Sequence, residues 1–132
     1  MSFLAKLIID DQEYNVLSFT LDVNQPANQG RTFGYPRINN MHITIEASED
    51  SSIFFSWCTT IQDKKDGKII FYKRDSMASS RTLEFTGGVC VNYNDTFQND
   101  NAYPMITNLE ISIEALEFNG SLFRNFSAID QY

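Results

Sequence analysis

The sequence predicts a mainly β protein: antiparallel strands around one core, with one flanking helix and one long connection. Three observations carry that reading. Apolar and polar residues alternate with period two in several segments, apolar residues recur at helical spacing in one segment only, and residues 24–40 follow neither period. At 132 residues the chain has the length of one domain, and it holds no internal repeat or low-complexity stretch.

The alternation is clearest in three places. Asn15, Leu17, Phe19, Leu21 and Val23 are expected on one face of a strand, with Ser18, Thr20 and Asp22 on the other. Met41, Ile43, Ile45 and Ala47 alternate with His42, Thr44, Glu46 and Ser48, and Leu109, Ile111, Ile113 and Ala115 alternate with Glu110, Ser112 and Glu114. Such strands turn one face to a core and the other to water or a partner. Further strands are read at 68–75, 81–86 and 89–93, with Gly87-Gly88 read as either a two-residue hairpin turn or, the preferred reading, a bulge that bends one long strand. The first strand, residues 3–9, differs. Phe3, Ala5, Leu7 and Ile9 share one face, while Leu4 and Ile8 make the other apolar too, so both faces need cover, from the helix or from another subunit. Asp10-Asp11 is read as the turn that follows.

The single helix is predicted over 49–62, where Ile53, Phe54, Trp57, Cys58 and Ile61 form an apolar stripe. Ser48 or Ser51 is expected to cap it, Glu49 and Asp50 suit its N-terminal dipole, and Lys64, Lys65 and Gly67 fit its end. A helix this short needs a docking surface. Two irregular stretches remain. Residues 24–40 carry Phe33 and Tyr35 between Arg31 and Arg37, the residue types that anchor interfaces; composition alone leaves open whether this loop folds back on its own domain. Residues 92–104 read as a second, polar loop.

Composition narrows the function. Ten Lys and Arg against seventeen Asp and Glu give a net charge of −7, which argues against phosphate-dependent nucleic-acid binding. A chain that is 42% hydrophobic and 14% aromatic is not intrinsically disordered. No apolar run reaches the ~20 residues that span a bilayer, so direct membrane insertion is not expected. The N-terminal Met-Ser-Phe-Leu-Ala-Lys-Leu-Ile-Ile-Asp lacks the features of a secretory signal, and the protein is expected to fold in a cytoplasm, with Cys58 and Cys90 as free thiols. Catalytic candidates are sparse. The one His, His42, falls on the polar face of its strand, and one His with two distant Cys does not make a zinc spacing. Asn94–Asn101 holds oxygen ligands but lacks the Gly and terminal Glu of a calcium loop, and no phosphate-binding glycine loop is present. No catalytic, cofactor or metal residues are assigned; the chain reads as one that binds or assembles.

The order of segments carries a resemblance. The chain starts Met-Ser-Phe-Leu-Ala-Lys-Leu, continues with Glu13-Tyr14-Asn15-Val16-Leu17-Ser18-Phe19, and opens its long loop with Asn24-Gln25-Pro26, closing it with Tyr35-Pro36-Arg37. The helix with Trp57 precedes Ile70-Phe71-Tyr72-Lys73-Arg74-Asp75, and Tyr103-Pro104-Met105 leads into Leu109-Glu110-Ile111-Ser112-Ile113. Together these resemble the tube protein of type VI secretion systems (the Hcp or TssD family), in the form found in Bacteroidota. The resemblance covers a single domain of residues 1–118 and leaves a tail, 119–132, with Phe123, Phe126 and Tyr132, unmatched.

The resemblance implies an antiparallel β-barrel of two packed sheets, flanked by one α-helix, with an extended loop projecting from it. It implies six-membered rings that stack into a tube, partners in a contractile sheath, a spike and effector proteins, export through the apparatus itself, and neither cofactor nor catalysis. Arg31, Phe33, Tyr35 and Arg37, with Leu4 and Ile8, are the expected contacts to the adjacent subunit or ring. A phage or other contractile-particle tail-tube protein shares these physical features, and a small monomeric ligand-binding β-barrel is the remaining alternative. Six copies of a −7 chain carry −42 per ring (6 × −7). Assembly is therefore expected to depend on ionic strength, because salt screens surface charge. Sedimentation across a salt series checks this, and an assembly state indifferent to salt contradicts it.

Overall fold

Asp10 and Asp11 close the first hairpin, both with positive φ (51° and 63°), the two-residue turn whose twist matches that of the strands it joins. That hairpin belongs to a computed structural model, which describes residues 3–32, 34–48 and 51–124. The elements run β1 (Phe3–Ile9), β2 (Gln12–Thr20), β3 (Val23–Asn24), β4 (Ala27–Asn28), β5 (Arg31–Thr32), β6 (Arg37–Ile38), β7 (Met41–Glu46), α1 (Ser52–Thr59), β8 (Lys65–Lys73), β9 (Ser79–Phe97), β10 (Met105–Ser112), β11 (Ala115–Phe118) and β12 (Ser121–Arg124). The main sheet is antiparallel throughout, in the order β10-β7-β2-β1-β8-β9-β11-β12, and β9 also pairs with β10. The pairing therefore returns on itself through six strands, as in a barrel.

β9 makes this possible. It is 19 residues long, and its first part pairs with β8 and β11 while its second part pairs with β10. The change of partner falls at Gly87-Gly88, inside one continuous strand, as the bulge reading expects. Gly87 has φ +66°, and a Cβ there would lie 2.5 Å from the Glu114 carboxylate. Its N–H donates to Asp66 Oδ1 at 3.0 Å, which ties the bend to the start of β8. Residues 92–97, expected in a polar loop, are instead the end of β9; their polar side chains bond across the ladder to β10, leaving only 98–104 as the connection. β8 likewise starts earlier than expected, at Lys65.

The core is built from alternating positions: Leu7 and Ile9, Met41, Ile43 and Ile45, Ile69, Leu83 and Phe85, and Leu109 and Ile111 are all buried. β2 departs from its predicted alternation. Its register shifts between Val16 and Ser18, so Leu17 is the extra residue of a bulge and is 36% exposed. Tyr14 and Val16 face inward before the bulge, and Phe19 and Leu21 after it. Asn15 and Leu17 do not join the inward face, because the extra residue changes the parity between them and Phe19, while Val23 lies beyond β2 in the β3–β6 ladder and is exposed.

The helix spans Ser52–Thr59, shorter than the expected 49–62; Glu49 and Asp50 lie outside the described residues. Phe54 and Trp57 are fully buried, and the Trp57 indole N–H donates to the Asp63 carbonyl at 2.7 Å. Ser51 occupies the N-cap position, yet its hydroxyl makes no cap bond and donates to the Ser48 carbonyl at 2.7 Å. At the other end the Thr59 and Thr60 hydroxyls donate to the carbonyls of Phe55 and Ser56 at 2.9 and 2.8 Å, satisfying acceptors of the last turn. The lysines expected at the helix end serve elsewhere. Lys64 pairs with Glu114, while Lys65, in β8 with Gly67, pairs with Asp10. Ile61 lies past the helix and is 91% exposed.

Replacing Gly87 tests the bend. Gly87→Ala is expected to destabilise the fold by roughly 1–3 kcal/mol, from the positive φ alone. The displaced Glu114 side chain, which holds Lys64, adds to it. An unchanged urea midpoint would contradict this account.

Candidate assembly interface

The connection between β2 and β7 is an ordered β-arm. At its base β3 pairs with β6, Val23 opposite Ile38 and Asn24 opposite Arg37; nearer its tip β4 pairs with β5, Ala27 opposite Thr32 and Asn28 opposite Arg31. The tip is a two-residue turn in which Gln29 and Gly30 both have positive φ (52° and 80°). The arm's pairing is split into two short ladders, and Pro26 and Pro36, which have no N–H to donate, occupy the interval between them. Gly34 packs close to Pro26: a Cβ there would lie 2.9 Å from the proline ring. The base is anchored by buried Ile38 and by the Asn39 N–H donating to the Asp22 carbonyl at 2.9 Å.

Along this arm Arg31 and Arg37 are exposed, and among the described residues neither makes an ion pair. Tyr35 is 65% exposed. Phe33 lies outside the described residues. Leu4 and Ile8 sit apart from the arm, on the outward face of β1, both half-buried. They stand opposite Tyr72 and Lys68 of β8, with Ile70 opposite the intervening Lys6, so an apolar strip crosses two neighbouring strands without full cover. The Lys6 ammonium donates to Asn15 Oδ1 at 2.8 Å, and the Asn15 amide donates to Glu46 Oε1 at 3.1 Å, a polar border along one side.

A second surface was not singled out in the sequence. On the outward face of β7, β10 and β9, His42, Thr44, Asn92, Asn94, Asn108 and Glu110 line an open groove of about 240 Å3. Its amides and hydroxyls bond to one another: Thr44 donates to Asn108 Oδ1 at 2.6 Å, and Asn108 donates to Asn94 Oδ1 at 3.3 Å. Ile43 and Leu109 also reach this groove, which is shallow and open, unlike the enclosed concavities that hold small molecules. Among the described residues no group of three or more His, Cys, Asp and Glu side chains is placed to hold a metal. Nor is any helix long and apolar enough to cross a membrane.

On the same strand pair Asp95 accepts from two hydroxyls, that of Tyr93 and that of fully buried Thr107, the latter at 2.6 Å. Burial, then the bond to Asp95 and its charge, push the Tyr93 phenol up to about 12. Period-two reading misses this triad because Tyr93 and Asp95 fall in the stretch read as a polar loop, and only the β9–β10 register brings Thr107 opposite Asp95.

Comparison with known proteins fits this architecture. The family model for the hemolysin coregulated protein Hcp (TssD) matches residues 1–126. The chain thus belongs to the Hcp family, the tube protein of type VI secretion systems. Hcp1 from Flavobacterium johnsoniae is similar to it with a TM-score of 0.85 and 29% identity, over 92% of this chain and 99% of that one. Hcp1 from Salmonella typhimurium shares the fold at a TM-score of 0.76 and 15% identity, over 97% of each chain. The secreted protein Hcp3 from Pseudomonas aeruginosa shares it at 0.69 and 10% identity, over 91% of this chain and 92% of that one. A search of curated proteins finds no match. The family match passes residue 118, where the sequence resemblance was placed, and takes in β12, which pairs with β11.

The triad gives a titration test. The unfolded chain loses the Tyr93 proton near the ordinary value of 10.0, so this group's contribution to stability is complete below that pH and is lost as pH rises to about 12. Ultraviolet titration of the folded protein is expected to show the Tyr93 phenol ionising late, and Asp95→Asn is expected to bring it down. A Tyr93 that ionises near its ordinary value of 10.0 contradicts the geometry.

Proposed function

We propose that this chain closes into six-membered rings that stack head to tail into the secretion tube, and that the β-arm and the β1 face are the surfaces it uses. The supporting observation is the arm itself: an ordered hairpin, anchored by Ile38, that presents Arg31, Tyr35 and Arg37 outward. Phe33 is assigned to the same contact from its place in the sequence. Aromatic and Arg anchors on a projecting element are what a protein interface uses, and ordering them in advance lowers the entropy lost on docking. Head-to-tail stacking is a heterologous contact, which propagates instead of closing. Leu4 and Ile8, with Ile70 and Tyr72, offer an apolar strip for a neighbouring subunit to cover.

Charge supports the same reading. Residues 23–40 contain two Arg and no Lys, Asp or Glu, so the arm carries +2 while the rest of the −7 chain carries −9 (−7 − 2). A positive arm meets an acidic body. The tube leaves the cell through its own apparatus, driven by a contractile sheath and tipped by a spike, with effectors as lumen cargo; the chain itself performs no catalysis. The family match favours a secretion tube over the tail tube of a phage and over a ligand-binding barrel.

Replacing Phe33 and Tyr35 together by Ala tests the arm. Each anchor lost is expected to weaken an interface by roughly 10-fold or more. Sedimentation and negative-stain images should show rings for the native protein and folded monomers for the variant. Rings and tubes that persist unchanged in the variant would refute the assignment.

A further inference from the structure

Two cysteines far apart in sequence meet where α1 docks on β9. Cys58 is half-buried on the helix and packs against the core cluster to which Cys90 belongs. The geometry follows from a bulge. In the β9–β10 ladder Tyr93 stands opposite Leu109 and Asn92 opposite Glu110, but Cys90 stands opposite Ile111, so Val91 is the extra residue. The bulge turns Cys90 and Tyr93, three residues apart, to the same face, beneath the helix. Phe55 meets the Tyr93 ring edge-on with centroids 5.7 Å apart, and Cys58, one helical turn further along, meets Cys90. Placed on facing sides of the helix–strand contact, the two thiols lie within electrostatic reach of one another.

We propose that Cys58 and Cys90 form a dithiol site that closes into an intramolecular disulfide when the folded protein meets an oxidising low-molecular-weight disulfide, stapling α1 to β9. Nothing in the proposed assembly requires this bond. It answers a different need, that of a protein made among reducing thiols and then exposed to a more oxidising medium. The order of reaction is set by access. Burial, then the charge and proximity of the Cys58 thiol, push the Cys90 thiol up to about 12, so the half-exposed Cys58 reacts first. Its thiolate attacks glutathione disulfide, forming a bond from Cys58 to one glutathione sulfur and expelling the other as a thiol. Cys90 then attacks the Cys58 sulfur, the Cys58–glutathione bond breaks, and a second glutathione leaves, taking up the proton that Cys90 loses. Two protein thiols are oxidised by two electrons and one glutathione disulfide is reduced to two thiols.

The staple closes a loop of about thirty residues and fixes an eight-residue helix that isolated propensity does not hold. The test treats the folded chain with glutathione disulfide, quenches with acid, and alkylates in denaturant. The expected product is a monomer about 2 Da lighter that takes up no alkylating reagent, yields one peptide pair joined through Cys58 and Cys90, and melts about 10 °C above the reduced form. In Cys90→Ser the reaction is expected to stop at the glutathione adduct on Cys58. A native chain that stays at the adduct, links into dimers, keeps both thiols free, or crosslinks without melting higher overturns the proposal.

Discussion

The fold depends on one strand having two sets of partners. β9 supplies backbone pairing to β8 and β11 along its first part and to β10 along its second, and without that change of partner the sheet would end in open edges. A straight strand cannot do this, because its twist carries it away from one sheet as it follows the other. Gly87, at positive φ with its N–H held by Asp66, is where the direction changes, and Glu114 fills the space beside it that a Cβ would take. The helix then docks on the second part of the same strand, so barrel closure and helix placement share a cause.

That second part is also where polarity is handled differently. The first part of β9 buries Leu83 and Phe85; the second carries Asn92, Tyr93, Asn94, Asp95 and Thr96. Asn and Asp are poor strand formers, since their side chains compete for backbone hydrogen bonds. Here they bond across the ladder instead, Asn94 with Asn108 and Asp95 with Thr107, and the pairing is kept by side-chain bonds where apolar packing is thin. The result is a polar outward wall on a strand whose other half is core, which suits a subunit that needs a wet surface on one side and neighbours on another.

How much of this the sequence reveals follows from which forces are local. Alternation placed β7 and the inward residues of β10 correctly, because each position there obeys the same period: Met41, Ile43, Ile45, Leu109 and Ile111 are all buried. It failed in β2, where the bulge at Leu17 reversed the pattern, and in residues 92–97, where composition suggested a loop and cross-strand bonding made a strand. The helix was found but overextended: Ile61 fits the stripe by spacing, yet the chain has already turned out to solvent when it reaches that position. In the arm, Arg31, Tyr35 and Arg37 were picked out by residue type, while its ladder was missed. The Gln29-Gly30 turn was the available signal, with Pro26 and Pro36 splitting the pairing into pieces too short to show alternation. The cysteine pair was invisible, since its proximity depends on one extra residue, Val91, and on where the helix docks.

Charge sets the last constraint, because it acts at two ranges with opposite sign. Each body carries −9 and each arm +2, so the proposed ring would bring six acidic bodies together while each arm reached toward an acidic neighbour. Repulsion between bodies is summed over separations of tens of ångströms, well beyond the screening length of about 10 Å at 0.1 M salt. In the proposed contact an Arg on the arm would act at short range, where partial burial would shield the pair from the ions that screen the bodies. Moderate salt therefore removes more of the repulsion than of the attraction. The arm's order strengthens that asymmetry: Arg31 and Arg37 sit at fixed ladder positions opposite Asn28 and Asn24, so docking need not order the backbone that carries them. A net charge that opposes assembly of separated bodies is thus compatible with a tube when, as proposed, the positive residues gathered on the arm face the neighbour.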